Sequence, residues 1–523
     1  MALPDFFKSI LLLIPLTSGL VFGLPESVEN ACNAPSSTYY ITATTDIAPV
    51  ATCQVLNTDL NFLDLAVTDL NGLETVIGDI DVEINGNFSE GLLKVESETL
   101  RNITGRLNIG VVGSDRVPGV TASVSLKNLE YVGGLRIDSI GSGARLDFGG
   151  NVTVNGTIRL VDIGTLDMKL PVKQALRGVT VSDNAFMEFE SSLQLVQASI
   201  VVEDNTGLQG VLLPELQLAG GVLIRRNPKL ETVEIQTRHI YQVEIYENGR
   251  TTSANFSNLE TVGVVSQLEP FGVRRLSLTD PGIILRDIVA LELSALKDVN
   301  GSFTLRESFF PVLSLPSLES VNGTFQVSTN LALTNVSLPE LTTVGGLNFA
   351  GNEYLTALQL NALRRVEGSL VFDGPFANIN LIQLEYIGGN FTLSGIPSFD
   401  CSWFDENILP KTTGTYQCVG NHTRPANAVG PGTSTNTLAP EMEQSGDKGL
   451  GVGAKAAIGA GSAIVLASEG GLPELGASGD AKGYPKELTG DSREVPAEMS
   501  GERDPAELGD ARNKSNQPPA ELP

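Results

Sequence analysis

Apolar and polar residues alternate with period two after Val299: Gly301, Phe303 and Leu305 share one parity, and Asn300, Ser302 and Thr304 the other. The same alternation follows Val321, with Gly323, Phe325 and Val327 set against Asn322, Thr324 and Gln326. It follows Ile387 as well, with Gly389, Phe391 and Leu393 against Asn390 and Thr392. Period two predicts strands with one buried face. After Val344 the parity breaks, because Leu347 and Phe349 flank Asn348, and a bulge is expected to restore the register there.

These strands recur. Leu296-Lys-Asp-Val299, Leu318-Glu-Ser-Val321, Leu341-Thr-Thr-Val344, Leu363-Arg-Arg-Val366 and Leu384-Glu-Tyr-Ile387 are each followed within two residues by Gly, at steps of 22, 23, 22 and 21 residues. A fixed step of this size predicts a solenoid, whose units bury their apolar faces by stacking on neighbours. Glycine after the core residue suits a tight bend or a close approach between stacked turns. Leu73-Glu-Thr-Val76, Leu129-Glu-Tyr-Val132, Leu230-Glu-Thr-Val233 and Leu259-Glu-Thr-Val262 carry the same phrase at irregular gaps of 56, 101, 29 and 37 residues, so the intervening turns have drifted or carry insertions. Pro316 and Pro339, in Leu-Pro-x-Leu phrases, oppose long helices. The reading is a mostly β solenoid over 54–400. Its step matches a leucine-rich repeat in length, but the Asn-containing consensus of such repeats is missing.

Composition adds a compartment. The run from Ile10 to Leu16 after Lys8, with a small-residue site at Val21-Phe22-Gly23, reads as a secretory signal over 1–23. Four cysteines fall as two local pairs, Cys32 with Cys53 and Cys401 with Cys418, in predicted caps at 24–53 and 401–422. Four cysteines allow three pairings, and the local one is favoured because the alternatives join opposite ends of a rod. Zinc ligation is a poor reading, since no two cysteines are closely spaced and the only histidines are His239 and His422. Asn-x-Ser/Thr sequons stand at Asn87, Asn102, Asn151, Asn155, Asn255, Asn300, Asn322, Asn335, Asn390 and Asn421, with Asn513 further on, as in a heavily glycosylated surface protein.

The net charge of −27 argues against nucleic acid and anionic lipid as partners. Residues 423–448 read as a Pro/Gly/Ser/Thr linker. Residues 449–467 are small and apolar but interrupted by Lys455, which makes a marginal membrane anchor. A flexible Gly/Ala linker is the plainer reading. Residues 468–523 form an acidic tail expected to be disordered. A GPI signal requires an apolar end, whereas this sequence closes on Ala520-Glu-Leu-Pro523.

The secretory start, the paired cysteines, the Leu-x-x-Val/Ile-x-Gly-x-Phe/Leu phrases and the sequons together resemble the fungal GPI-anchored cell-wall-organisation glycoproteins with receptor L-domain-like repeats, relatives of a sporulation-specific wall protein. The resemblance covers roughly 30–420 and implies a right-handed parallel β-helix or leucine-rich-repeat-like fold, a plasma-membrane or wall location and a role in wall integrity. It brings no catalytic residues.

Enzyme chemistry is sparse. Asn57-Thr58-Asp59 resembles a short polygalacturonase motif, but the paired aspartates, the Gly-His-Gly and the Arg-x-Lys of that family are missing, and a turn is the expected role. Arg225-Arg226, Arg274-Arg275 and Arg364-Arg365 are read as rungs of salt-bridge ladders, and Trp403 as a lid over the end of the solenoid. The expectation is therefore a non-enzymatic surface glycoprotein without catalytic, cofactor or metal residues, a scaffold for cell-wall polysaccharide or wall proteins. A ligand-binding receptor ectodomain and a β-helix carbohydrate-active enzyme are the alternatives.

Overall fold

The computed structural model describes residues 32–63, 67–85, 91–112, 120–141, 143–164, 170–263 and 282–422. All lie in the first of two compact units, Met1–Thr437. The predicted leader, linker, small-apolar segment and acidic tail fall outside the described residues, as do Asn87, Asn513 and Arg274-Arg275.

The chain is a parallel β-solenoid of about 15 turns with a disulfide at each end. Each turn carries up to three strands, here called leading, middle and trailing. In one turn these are Asp298–Val299, Ser302–Arg306 and Val312–Ser314. Leading and middle strands pair turn to turn in one long sheet, and trailing strands form separate smaller sheets. In several turns the leading and middle strands fuse, as in Ser320–Ser328 and Thr343–Ala350. The bulge expected near Val344 is present. Val321 pairs with Val344 but Thr324 with Gly346, so the extra residue sits on the Ser320–Ser328 strand.

The repeated phrase explains the turn that precedes each leading strand. In Leu315-Pro-Ser-Leu318 the Leu318 amide donates to the Leu315 carbonyl at 3.3 Å, and both leucines are buried. Leu360–Leu363 and Leu381–Leu384 close in the same way at 3.2 and 3.1 Å. Pro316 occupies the second position of this turn, where its fixed φ is favoured. After the leading strand the backbones of adjacent turns nearly touch. A Cβ at Gly345 would lie 2.2 Å from the Asn322 carbonyl oxygen, and one at Gly133 2.2 Å from that of Thr104, so only glycine fits.

Two sequence expectations need correction. Leu230-Glu-Thr-Val233 is out of phase with its apparent copies, because Val233 pairs with Val211 and Ala254 in a trailing sheet. The leading positions between Val132 and Val262 are instead Val154, Ala175, Val196, Ala219 and Ile240. The Asn signature of leucine-rich repeats is also present. Asn184, Asn205 and Asn227 are fully buried in successive turns, each Oδ1 accepting the backbone N–H of the turn before, at 2.9, 3.0 and 3.1 Å. Asn330 and Asn352 repeat the arrangement later.

The residue before each of these asparagines closes the middle strand in a left-handed conformation. Asp183, Asp204, Arg226, Thr329 and Gly351 have φ between 53° and 65°. This corner turns the chain away from the sheet, and the asparagine satisfies the backbone groups exposed by the turn. The core inside is aliphatic, with an aromatic row near its C-terminal end. Phe303 stacks on Phe325 at 4.9 Å, and Phe325, Phe349, Phe372 and Phe391 follow at 5.9, 6.4 and 6.4 Å. The row steps between adjacent inward columns at Phe349, where the sequence parity breaks.

Both ends are closed. Cys32 bonds Cys53 and Cys401 bonds Cys418, with Cα separations of 5.7 and 6.0 Å. Such short loops stabilise by roughly 3 kcal/mol each in the chain-entropy model. At the C-terminal end the helix α1 (Ser402–Asn407) lies over the last turn. Its lid residue is Phe404, which is 3 % exposed and stacks on Phe391 at 5.9 Å. Trp403 is 37 % exposed and only meets Phe404 edge-on, so it is not the lid expected from the sequence.

Candidate functional site

The middle strands run from Val55–Leu63 to Phe391–Ser394 and present outward residues in register from turn to turn. The described sequons lie off these outward columns. Asn155, Asn300 and Asn322 sit at the bend after the core valine, and Asn390 directly precedes its middle strand. Asn102 starts a leading segment and Asn151 precedes one. Asn255 ends a trailing strand and Asn335 begins another. Asn421 belongs to the C-terminal cap, bridged to Asp400. Asn151, Asn155, Asn300, Asn322, Asn335, Asn390 and Asn421 are exposed, whereas Asn102 and Asn255 are half-buried. Asn300 and Asn322 stack on adjacent turns, with Asn322 Nδ2 donating to Asn300 Oδ1 at 2.8 Å.

The middle-strand face is polar and charged. In its central turns Arg225 reaches Glu203 at 2.7 Å and donates to the Tyr246 hydroxyl at 3.2 Å, while Arg226 bridges Glu203 and Asp204 at 2.9 and 2.6 Å. The Arg226 hydrogen bond holds the Asp204 carboxyl below its ordinary pKa. The Arg225-Arg226 doublet is thus a rung in a salt-bridge ladder. Burial raises the pKa of Glu244, an outward residue on the same face. At the leading strands, off this face, Arg364 lies 3.6 Å from Glu385, and Arg365 pairs with Glu367 and covers the Tyr386 ring at 4.4 Å.

Nearer the N-terminus this face holds a shallow recess of about 290 Å³, bordered by Asp81, Glu83, Asn108, Gly110, Arg136 and Asp138. Nothing in the spacing of these residues marks them in the sequence, because they come from turns of unequal length.

Asn57-Thr58-Asp59 lies inside the strand Val55–Leu63 rather than in a turn. Asn57 Nδ2 donates to Asn33 Oδ1 at 2.9 Å, and Asp59 accepts the Asp79 amide at 2.8 Å. The two histidines are far apart in the chain and engaged separately. His239 Nδ1 lies 2.8 Å from the Thr261 hydroxyl, and burial lowers its pKa. His422 Nδ1 lies 2.8 Å from Asp405, which also accepts the Tyr416 hydroxyl at 2.8 Å. Among the described residues no group of three or more His, Cys, Asp or Glu side chains is arranged to hold a metal ion.

No protein-family model matches the chain. No solved structure matches it either. Curated proteins do. It is 26% identical over 209 residues to a cell surface GPI-anchored protein of Arthroderma benhamiae, covering 39% of this chain and 49% of that protein. It is 26% identical over 247 residues to the protein ecm33 of Aspergillus fumigatus, covering 44% and 62%. Sporulation-specific protein 2 of Saccharomyces cerevisiae is 24% identical over 339 residues, covering 63% and 57%. The chain thus spans about half to three fifths of the length of these relatives. It is homologous to this fungal group of ecm33, sporulation-specific and GPI-anchored surface proteins, the group its sequence resembles, and is a protein of the cell surface or cell wall.

Proposed function

We propose that the protein is a non-enzymatic scaffold of the fungal cell wall, glycosylated at the exposed sequons, which offers the middle-strand face to wall polysaccharide or wall proteins. The observation that carries this reading is the separation of sequons from that face among the described residues. Glycans on Asn155, Asn300, Asn322 and Asn390 would stand along the bend beside the middle strands, and one on Asn335 on the trailing side. The middle strands would stay accessible. Solenoids commonly use such extended regular surfaces for binding. The name of the Arthroderma benhamiae relative, a cell surface protein, supports a place at the surface.

The test is co-sedimentation of the secreted, glycosylated protein with insoluble β-glucan, chitin and mannan, run beside an assay for released reducing ends. Sedimentation without release is expected. Release that disappears on replacing one carboxylate would make the protein a carbohydrate-active enzyme instead. Deletion of the gene is expected to raise sensitivity to wall-binding dyes.

A further inference from the structure

We infer that the recess near the N-terminal end of the middle-strand face binds one unit of a neutral, hydroxyl-rich saccharide. The inference rests on the wall-scaffold reading and gives it a location. Asn61, Asp81, Asn108 and Arg136 come from four consecutive turns and lie opposite one another in strict register, forming a single outward column. Two residues further along each strand, the next outward column places Gly110 between Glu83 and Asp138. Glycine keeps this spot open. A Cβ on Gly110 would lie 2.7 Å from the Asp138 carbonyl oxygen, and any larger side chain would occupy the recess.

The hydrogen bonding around the recess is incomplete. Asn108 Nδ2 donates to Asp81, and Arg136 Nε donates to Asp138 Oδ2 at 3.0 Å. Asn108 Oδ1 and Asn61 Oδ1 are shielded from solvent and accept no hydrogen bond. Both amide oxygens have so little accessible surface that a ligand hydroxyl reaches them only if the side chains shift, whereas the carboxylates of Asp81, Glu83 and Asp138 border the recess directly.

The chemistry of the lining selects the ligand class. Three carboxylates, Asp81, Glu83 and Asp138, against the single Arg136 disfavour an anion such as phosphate or a uronate. The guanidinium and the Asn108 amide nitrogen, both donors, disfavour a bare cation. A sugar hydroxyl donates and accepts at once, so it can serve the carboxylates as well as the guanidinium. The volume of about 290 Å³ lies at the small end for ligand sites and suits a sugar unit of a chain continuing along the open face.

The experiment titrates the intact glycosylated protein with β-1,3-gluco-, chito- and manno-oligosaccharides by calorimetry, with calcium chloride as a separate arm. Binding of one oligosaccharide series is expected, weakened about tenfold or more by Asn108→Ala and by Asp81→Asn. Gln359→Ala, at an exposed position of the trailing strand Ala357–Gln359 and off the middle-strand face, is expected to bind like the wild type. Unchanged thermal unfolding in the variants excludes loss of fold as the cause. If both recess variants bind oligosaccharide normally while the protein still sediments with wall polysaccharide, the recess is excluded and the scaffold reading stands. If the wild type binds no polysaccharide in either assay, both readings fall. Calcium binding without sugar binding overturns the saccharide assignment.

Discussion

Asn205 shows how one residue holds two turns together. Its Nδ2 donates to the Val181 carbonyl at 3.0 Å and to Asn227 Oδ1 at 2.9 Å, and its Oδ1 accepts both the backbone and side-chain N–H of Asn184. All of this occurs at 0 % exposure. Asn205→Ala leaves a buried carbonyl and two buried N–H groups without partners. We expect a loss of about 3–5 kcal/mol, read by denaturant unfolding, whereas Asn335→Ala at an exposed strand start should fall within about 0.5 kcal/mol. Glu244 makes the opposite kind of contribution. Burial holds its carboxyl pKa above the ordinary 4.5, so the unfolded chain ionises first as pH rises. Its favourable share of stability is therefore complete below about 4.5 and is lost as pH climbs through the raised folded value. Glu244→Gln keeps an acceptor for Gln242 Nε2 and removes the ionisation. The variant should match the wild type in thermal unfolding at pH 4 and exceed it at pH 7.

At the scale of elements, the end caps carry a local rather than a global burden, because each turn of a solenoid contacts only its neighbours. Phe404 on α1 stacks on Phe391 at 5.9 Å and meets Phe399 at a tilt at 5.4 Å. Phe404→Ala should cost about 3–5 kcal/mol at that end. Hydrogen exchange is the measurement that separates local from global effects. Protection should fall in Leu370–Asp373 and Phe391–Ser394 and persist in Leu195–Glu203, and a uniform loss would contradict the nearest-neighbour picture. The strands, their inward parity and the glycine bends were legible because each obeys a local rule of period two or of close backbone approach. Leu230-Glu-Thr-Val233 misled because a leucine turn followed by a two-sided strand is the same local object on either side of the solenoid. The asparagine ladder keeps the turn period, with steps of 21 and 22 residues from Asn184 to Asn205 to Asn227, yet it lies at the corner after the middle strand, outside the Leu-x-x-Val phrases that mark the leading strands. The recess was illegible for a different reason. Asn61, Asp81, Asn108 and Arg136 stand 20, 27 and 28 residues apart, and only the strand register reveals that they share a column.

For the described solenoid as a whole, binding depends on which side is free. The sequons at Asn300, Asn322 and Asn390 line the bend, so bulky glycans there leave the middle strands open, and adding one glycan to that face should close it. Asn348 points outward from the middle segment of Thr343–Ala350, between Gln326 and Val371 on the adjacent turns. The substitution Ala350→Thr completes an Asn-x-Thr sequon at Asn348 without altering the buried Leu347 or Phe349. Threonine also suits a strand position, so the substitution itself should leave the fold intact. A glycan at Asn348 would cover several turns of the face, since neighbouring strands lie only about 4.8 Å apart. The expected outcome is a glycosylated, thermally stable variant whose sedimentation with wall polysaccharide is strongly reduced and then restored when the added glycan is removed enzymatically. The matching control, Asn390→Gln, deletes a bend sequon and should leave sedimentation unchanged or improved. If the A350T glycan is present and sedimentation is undiminished, the wall ligand does not use the C-terminal turns of the middle-strand face, and binding must be sought at the N-terminal recess or on the trailing sheets.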